Sequence, residues 1–503
     1  MKINNKLIHY IDAGFPIVYM NTFEEIKTDN IINRLAKKTY REVYEWDNST
    51  GFMKWNEVEG EIKKICILER GSDLEKTLNI IKEDDELQEK IFVIKDAHHF
   101  LDDPKIISLL KDISHKILLG LEATIFIVSP KVVIPCEIDK YTTVVEMGYL
   151  NEDEIEEIID EFIEEYEINN ISKLLKEDMK SAFKGLSEFE VKNILALSYA
   201  DDGGFSKSDL KLVHEQKKQI IKKSNILEMI ELKEGLDDIG GLESLKKWVK
   251  KKAVVFNNLE KAIKFGVDMP KGVLIAGMPG CGKSLNAKAI AKLFDVPLLR
   301  LDMGRLLGKY VGESEENMRK AISLAEAISP CVLWIDELEK AFAGIGDGSG
   351  NEVTTRLFGN FLTWMQEKKS PTFVVATAND ILKLPPELMR KGRFDETFYV
   401  GLPNDNERRK VFEIHIGKRR KYDLGSIDIS KLVEKTKGFS GADIEGVVKD
   451  AVEAAFSNNK DRLTTQDIIN AIDNTTSLSE LMKDTLENMA KEYKDRKFKN
   501  ASI

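Results

Sequence analysis

Gly277-Met278-Pro279-Gly280-Cys281-Gly282-Lys283-Ser284 is the stretch whose residue types and spacing point most directly to chemistry. The apolar run Val273-Leu274-Ile275-Ala276 before it reads as a buried strand. After it, Ala287, Ile290, Ala291 and Phe294 share one face of a helix. A strand, a glycine loop and a helix N-terminus form a phosphate cradle. The glycines let backbone N–H groups converge, and the helix dipole favours an anion. In this setting Lys283 reaches the β- and γ-phosphates of a nucleoside triphosphate, and Ser284 ligates Mg²⁺.

Downstream, Cys331-Val332-Leu333-Trp334-Ile335 is an apolar run ending in Asp336 and Glu337. Alone, it could be a buried strand entering an exposed acidic loop. With the glycine loop upstream, Asp336 takes the metal shell and Glu337 polarises the attacking water, because phosphoryl transfer rests on positioning and charge stabilisation. Phe373 to Ala378 is a second buried strand, tipped by Asn379. That residue either orients the lytic water or is a satisfied turn asparagine. Arg390 and Arg393 sit three apart on a loop or short helix. They are either surface arginines or residues that complete a neighbouring subunit's site, where such an arginine contributes roughly a thousandfold or more.

Bringing these groups together requires a parallel sheet with helices between its strands, and the sequence carries that pattern twice. In the first stretch the candidate strands are Pro16 to Met20, Glu42 to Glu45, Ile91 to Ile94, Thr124 to Val128 and Thr143 to Val145. Short matches recur in order in both halves: Ile134–Ile138 with Leu384–Leu388, Lys184–Ser187 with Lys437–Ser440, and Phe205–Leu210 with Leu463–Ile468. They favour a duplicated sheet-plus-lid unit over an unrelated first domain. The expected limits are 1–147 for a degenerate ATPase-like α/β domain and 148–231 for a helical, lid-like region and linker. A large ATPase subdomain then takes 232–403, its helical lid 404–475, and a polar tail 476–503. No structure is expected over Lys491 to Ile503.

The first copy lacks the chemistry. Asn21-Thr22-Phe23-Glu24-Glu25 stands where a glycine loop belongs, and its carboxylates repel a triphosphate. Its third strand ends Lys95-Asp96-Ala97, with one acid in place of two, and Lys140 and Thr143 stand at the arginine positions. A nucleotide-free docking or assembly domain is expected.

The net charge of −11 argues against nucleic acid as the main partner. Cys66, Cys136, Cys281 and Cys331 form no CxxC and show no metal-ligand spacing, as expected in a reducing compartment, here the cytoplasm. Met1 to Tyr10 has no signal-peptide pattern. Apolar runs such as Thr124 to Val133 are too short to span a bilayer, so no membrane association is expected. His214-Glu215 is followed by Lys218 rather than a second His, which excludes an HExxH zinc protease.

Taken in order, GMPGCGKS, LWIDE, ATAND, RKGRFD and KGFSGADI resemble the AAA family of ring-forming ATPases over about Leu236 to Ile472. The wording from Arg300 to Ala321 and from Trp364 to Pro371 is similar to a branch shared by algal plastids and cyanobacteria. The resemblance implies an α/β fold: a P-loop AAA+ module of parallel sheet plus helical lid, preceded by a degenerate AAA-like domain. It implies ATP and Mg²⁺ as cofactors and ATP hydrolysis in a homo-hexameric ring.

It also implies roles for individual residues. Asp238-Ile239-Gly240 contacts adenine, with Pro279 to Leu285 around the phosphates and His415 near base and ribose. Gly441-Ala442 stands where other ATPases carry a second sensor arginine. Arg390 and Arg393 act in trans. Lys309, Tyr310 and Val311 form an aromatic pore loop that grips a protein substrate, unless Tyr310 packs on its own domain, and Gly344 to Gly350 form a second loop. Two departures, Leu384-Pro385-Pro386-Glu387 for Asp-Pro-Ala and Met365-Gln366-Glu367 for Met-Asp-Gly, bear on subunit contact and not on phosphate chemistry. The expectation is a remodelling ATPase acting on a protein. The alternative is an ATP-switched regulatory or assembly module that docks a partner without threading it.

Overall fold

The computed structural model describes residues 3–503 apart from 59–60, 69–72, 85–88, 121, 169–170, 207–208, 224–225, 307–312, 342–351, 391, 482–487, 490 and 494–495. The chain forms two compact units. The first comprises Met1–Glu167 and Leu186–Leu197, the second Ile168–Gly185 and Ser198–Ile503.

The first unit holds β1 (Ile17–Asn21), β2 (Glu42–Asp47), β3 (Gly51–Val58), β4 (Glu61–Cys66), β5 (Lys90–Lys95), β6 (Ala123–Ser129) and β7 (Thr142–Glu146). They lie in the order β4-β3-β2-β5-β6-β1-β7. From β2 to β7 neighbouring strands are parallel, while β3 and β4 are antiparallel additions at the edge. All five expected strands are present. β6 is buried along its whole length, as a central parallel strand covered on both faces must be. The β3–β4 hairpin was missed because its lysines and glutamates alternate with apolar residues, which weakens a run-based signal at a half-exposed edge.

The second unit holds β8 (Leu227–Ile230), β9 (Gly272–Gly277), β10 (Leu298–Leu301), β11 (Cys331–Ile335), β12 (Thr372–Ala378), β13 (Glu396–Val400) and β14 (Lys499–Asn500), ordered β14-β13-β9-β12-β11-β10-β8. Numbering each unit's mutually parallel strands in chain order, with β8 and β14 set aside, both sheets read fifth, first, fourth, third, second. This shared order supports the duplication inferred from the short matches. The caps repeat too. Ser440 with Asp443 and Thr464 with Asp467 close capping boxes in the lid; in the first copy Ser187 with Glu190 makes both corresponding bonds, and Ser206 donates its N–H to Asp209.

The lid helices Asp405–Arg420, Ile429–Lys435, Gly441–Ser457 and Thr465–Asp473 enclose a core that includes Phe412, Leu432, Ile444 and Val448. The C-terminal residues, expected to lack structure, are built into the second sheet. β14 pairs with β13, Ala501 is fully buried, and the ring of Tyr493 stacks on that of Tyr399 at 4.3 Å. Apolar side chains spaced among lysines supply the anchor that composition alone hid. Among the described residues no helix is long and apolar enough to cross a membrane.

Candidate active site

β9 ends at Gly277 and the helix Lys283–Phe294 begins at Lys283, so the glycine loop lies between them as the spacing requires. Ala287, Ile290, Ala291 and Phe294 are all buried. Gly280 has φ +74°, and a Cβ there would stand 2.9 Å from that of Ala442. The lid approaches this closely because Ala442 donates its N–H to the Gly280 carbonyl at 2.9 Å. That contact accounts for the small residues at 441 and 442. Lys283 is 7% exposed and donates to the carbonyls of Gly277 and Met278 at 2.9 and 2.6 Å. Burial lowers its pKa, opposed by the carboxylates of Glu339, Asp336 and Glu337. Burial pushes the Cys281 thiol up to about 11, so it is a neutral packing group.

The acids follow β11. Ser284 Oγ lies 3.4 Å from Asp336 Oδ1. Thr377 Oγ1 donates to Asp336 Oδ1 at 2.5 Å and accepts the backbone N–H of Glu337 at 3.2 Å. Glu337 has φ 50°, a left-handed backbone uncommon for a long side chain, which the Thr377 hydroxyl helps to hold. Asn379 Nδ2 donates to Glu337 Oε1 at 3.2 Å, and Lys340 Nζ pairs with Glu337 Oε2 at 2.6 Å. The backbone N–H of Asn379 is held by Glu339 Oε1 at 3.1 Å. Thr377, Glu339 and Lys340 were not foreseen. The available signals were a hydroxyl inside an apolar strand and charges one turn past the acidic pair.

A cleft of about 570 Å³ runs between loop and lid. Asp238, Ile239, Gly240, Pro279 through Leu285, Asp336, Glu337, Asn379, His415, Gly441 and Ala442 all line it. Gly240 is required where the turn meets the lid, since a Cβ there would come within 2.5 Å of Val411. Leu242 donates its backbone N–H to Glu407 at 2.9 Å, and Lys418 pairs with Asp238 at 2.8 Å, so the same lid helix closes the cleft twice. Burial lowers the pKa of His415, and among the described residues its buried Nδ1 has no hydrogen-bond partner.

Arg390 and Arg393 do not line the cleft. Arg390 is exposed, and the half-buried Arg393 donates to the Glu387 carbonyl. Lys309, Tyr310, Val311 and the stretch from Gly344 to Gly350 lie outside the described residues. The Ser284 hydroxyl and Asp336 carboxylate are hard oxygen donors side by side, which suits Mg²⁺.

The first unit carries the charges in reverse. Lys283 and Glu25 are each the first residue of the helix after the first parallel strand. Asp96 has φ 51°, matching Glu337, which sets Lys95 opposite Asp336. Lys95, only 5% exposed, meets Asp29 at 3.0 Å, Glu25 at 3.3 Å and Glu45 at 3.8 Å. Burial pulls its pKa down, but these carboxylates win and hold it above the ordinary value. Lys64 and the Trp55 indole complete the set around Glu45 at 2.8 and 2.9 Å.

A parallel sheet with a glycine loop, an acidic pair at the third strand and a helical lid over the cleft defines a P-loop ATPase module. The model of the ATPase family associated with various cellular activities (AAA) matches residues 273–402, and that of the AAA+ lid domain matches 426–470. SpoVK-like AAA ATPase models match 3–147 as the N-terminal domain and 153–224 as the second domain. The chain belongs to the AAA family of ATPases. It is 36% identical to the uncharacterized AAA domain-containing protein ycf46 of Guillardia theta over 95% of this chain and 92% of the relative. It is 35% identical to the ycf46 protein of Pyropia yezoensis over the full length of both. The putative ribosome biogenesis ATPase nvl of Dictyostelium discoideum is 34% identical over 53% of this chain and 32% of its own length.

Proposed function

We propose that this ATPase works as a homo-hexameric ring in the cytoplasm, remodelling a protein partner through the Tyr310 loop, with the first unit as a nucleotide-free recruiting or assembly domain. Within each copy, Lys283 and the loop N–H groups hold the phosphates of ATP, Ser284 and Asp336 hold Mg²⁺, and Asp238 to Gly240 with His415 receive the adenosine. Glu337, aligned by Asn379, draws the proton from the attacking water. Mg²⁺ adds charge neutralisation on the phosphate oxygens.

One observation carries the ring. Among the described residues no arginine lines the cleft; Arg300, in the adjoining pocket beside Asp336 and Glu337, is paired with Glu228 at 2.5 Å, while Arg390 is exposed on a neighbouring loop. A site that needs positive charge on the transferring phosphoryl group is completed by the arginines of an adjoining copy. The test is mixing. Arg393→Ala chains added to wild type should depress ATP turnover more than in proportion, whereas strictly proportional loss would sink shared sites. Tyr310→Ala separates remodelling from ATP-switched docking. Lost substrate processing with turnover kept supports remodelling, and unchanged partner handling supports docking.

A further inference from the structure

We propose that Tyr493 and Arg496, near the C-terminus, are positioning residues for hydrolysis. They act through the turn that carries Asn379 and the loop that carries Arg390. The proposal rests on the hydrolytic roles given above for those two residues.

Arg496 joins two places that the chemistry needs. Its Nη1 donates to the Ile381 carbonyl at 3.2 Å and lies 4.0 Å from the Met389 sulfur. Ile381 is two residues past Asn379, and Met389 immediately precedes Arg390. One guanidinium therefore ties the exit of β12 to the root of the arginine loop. Glu492 steadies it from the preceding turn, 3.5 Å from Nε.

Tyr493 supports the same region from behind. It is 1% exposed, stacks on Tyr399 and meets Phe498 edge-on at 5.3 Å. Tyr399 belongs to β13, and the next residue, Val400, accepts the Met278 N–H of the glycine loop at 3.0 Å.

The segment is anchored independently of these contacts. The Ala501 carbonyl accepts the N–H groups of Ser244 and Leu245 at 3.0 and 3.1 Å, capping the helix Glu243–Phe256, and its own N–H goes to Tyr399 at 2.9 Å.

On the other side of the turn, Glu339 holds the Asn379 N–H. With the turn gripped from both sides, Asn379 is fixed against Glu337. A shift of about 1 Å in such a group costs about a hundredfold in rate. Neither Tyr493 nor Arg496 lines the cleft, so nucleotide binding does not depend on them directly.

The experiment uses the full chain with Arg496→Met, Tyr493→Ala and Arg496→Lys. It reads ATP turnover, affinity for a fluorescent ATP analogue and melting temperature. The expected result is a kcat lowered about tenfold or more for Arg496→Met and Tyr493→Ala, with nucleotide affinity within about twofold of wild type. Arg496→Lys should recover part of the loss, because an ammonium still reaches the Ile381 carbonyl. Should Tyr493→Ala fail to fold, Arg496→Met decides alone. Full turnover in Arg496→Met overturns the proposal, as does a loss matched by equal losses of affinity and melting temperature. Wild type without Mg²⁺-dependent turnover would instead sink the hydrolytic reading itself.

Discussion

Thr377 Oγ1 lies 2.5 Å from Asp336 Oδ1 and also receives the Glu337 N–H, so one buried hydroxyl fixes both acids of the site. Thr377→Val keeps the shape and removes the bonds. It should lower ATP turnover about tenfold and raise the Mg²⁺ concentration for half-maximal nucleotide binding, while Thr377→Ser restores most of both. Wild-type Mg²⁺ dependence in the valine variant would remove Thr377 from the site.

Lys283 and Glu337 should separate binding from chemistry. Lys283→Ala removes the ammonium proposed to hold the phosphates, and ATP affinity measured by titration should fall at least about a hundredfold. Glu337→Gln keeps the shape and loses the proposed base. It should bind ATP normally and turn over at about a hundredth of the wild-type rate or less. Turnover near wild type in Glu337→Gln would assign the base elsewhere.

Lys95 tests the charge-reversed copy. Lys95→Met leaves Glu45 and Asp29 with Lys64 as their remaining cation among the described residues, Glu45 keeping the Trp55 indole as well, and should cost the first unit about 3 kcal/mol, read by chemical denaturation. ATP affinity at the second unit should be unchanged. A variant as stable as wild type would show that the pairing contributes nothing.

Lys217 gives stability a pH dependence of known sign. It is 3% exposed, donates to the Ala182 carbonyl at 3.0 Å, and burial lowers its pKa from 10.5 to about 8. Below about pH 8 the lysine is charged in folded and unfolded chains alike, and folding must bury that charge. Between about 8 and 10.5 the folded chain has released the proton and the unfolded chain still holds it, so this contribution to stability rises with pH. Lys217→Met should therefore raise the melting temperature at pH 7, and the gain over wild type should shrink toward pH 9.5. A gain independent of pH would show that Lys217 titrates normally.

Much of this was legible in the sequence, for physical reasons. The glycine loop, the acidic pair and Asn379 sit at ends of apolar strands, where residue type and position agree. The short runs Leu298–Leu301 and Glu396–Val400 were not singled out, though they flank the site as β10 and β13. Four or five residues with charges among them give little periodicity. Contacts such as Thr377 to Asp336 or Arg496 to Ile381 join residues 41 and 115 positions apart, and only the folded sheet brings them together. The swap of Glu25 for Lys283 and Lys95 for Asp336 could be read as loss from the sequence. Its reading as an internal ion cluster required the fold.

The two sheets share one strand order within one polypeptide, which creates a hazard during synthesis: a strand from either half can pair into the other. Strands are added beyond the shared five by different devices. β2 is covered at once by the β3–β4 hairpin, which is encoded locally and needs no distant partner. β10 is covered by β8, and β13 waits for β14, about a hundred residues later in the chain. The first half can thus add its outer strands early, with β4 and β7 as the outermost strands of its sheet among the described residues, while β13 in the second half gains its outer neighbour only when β14 arrives.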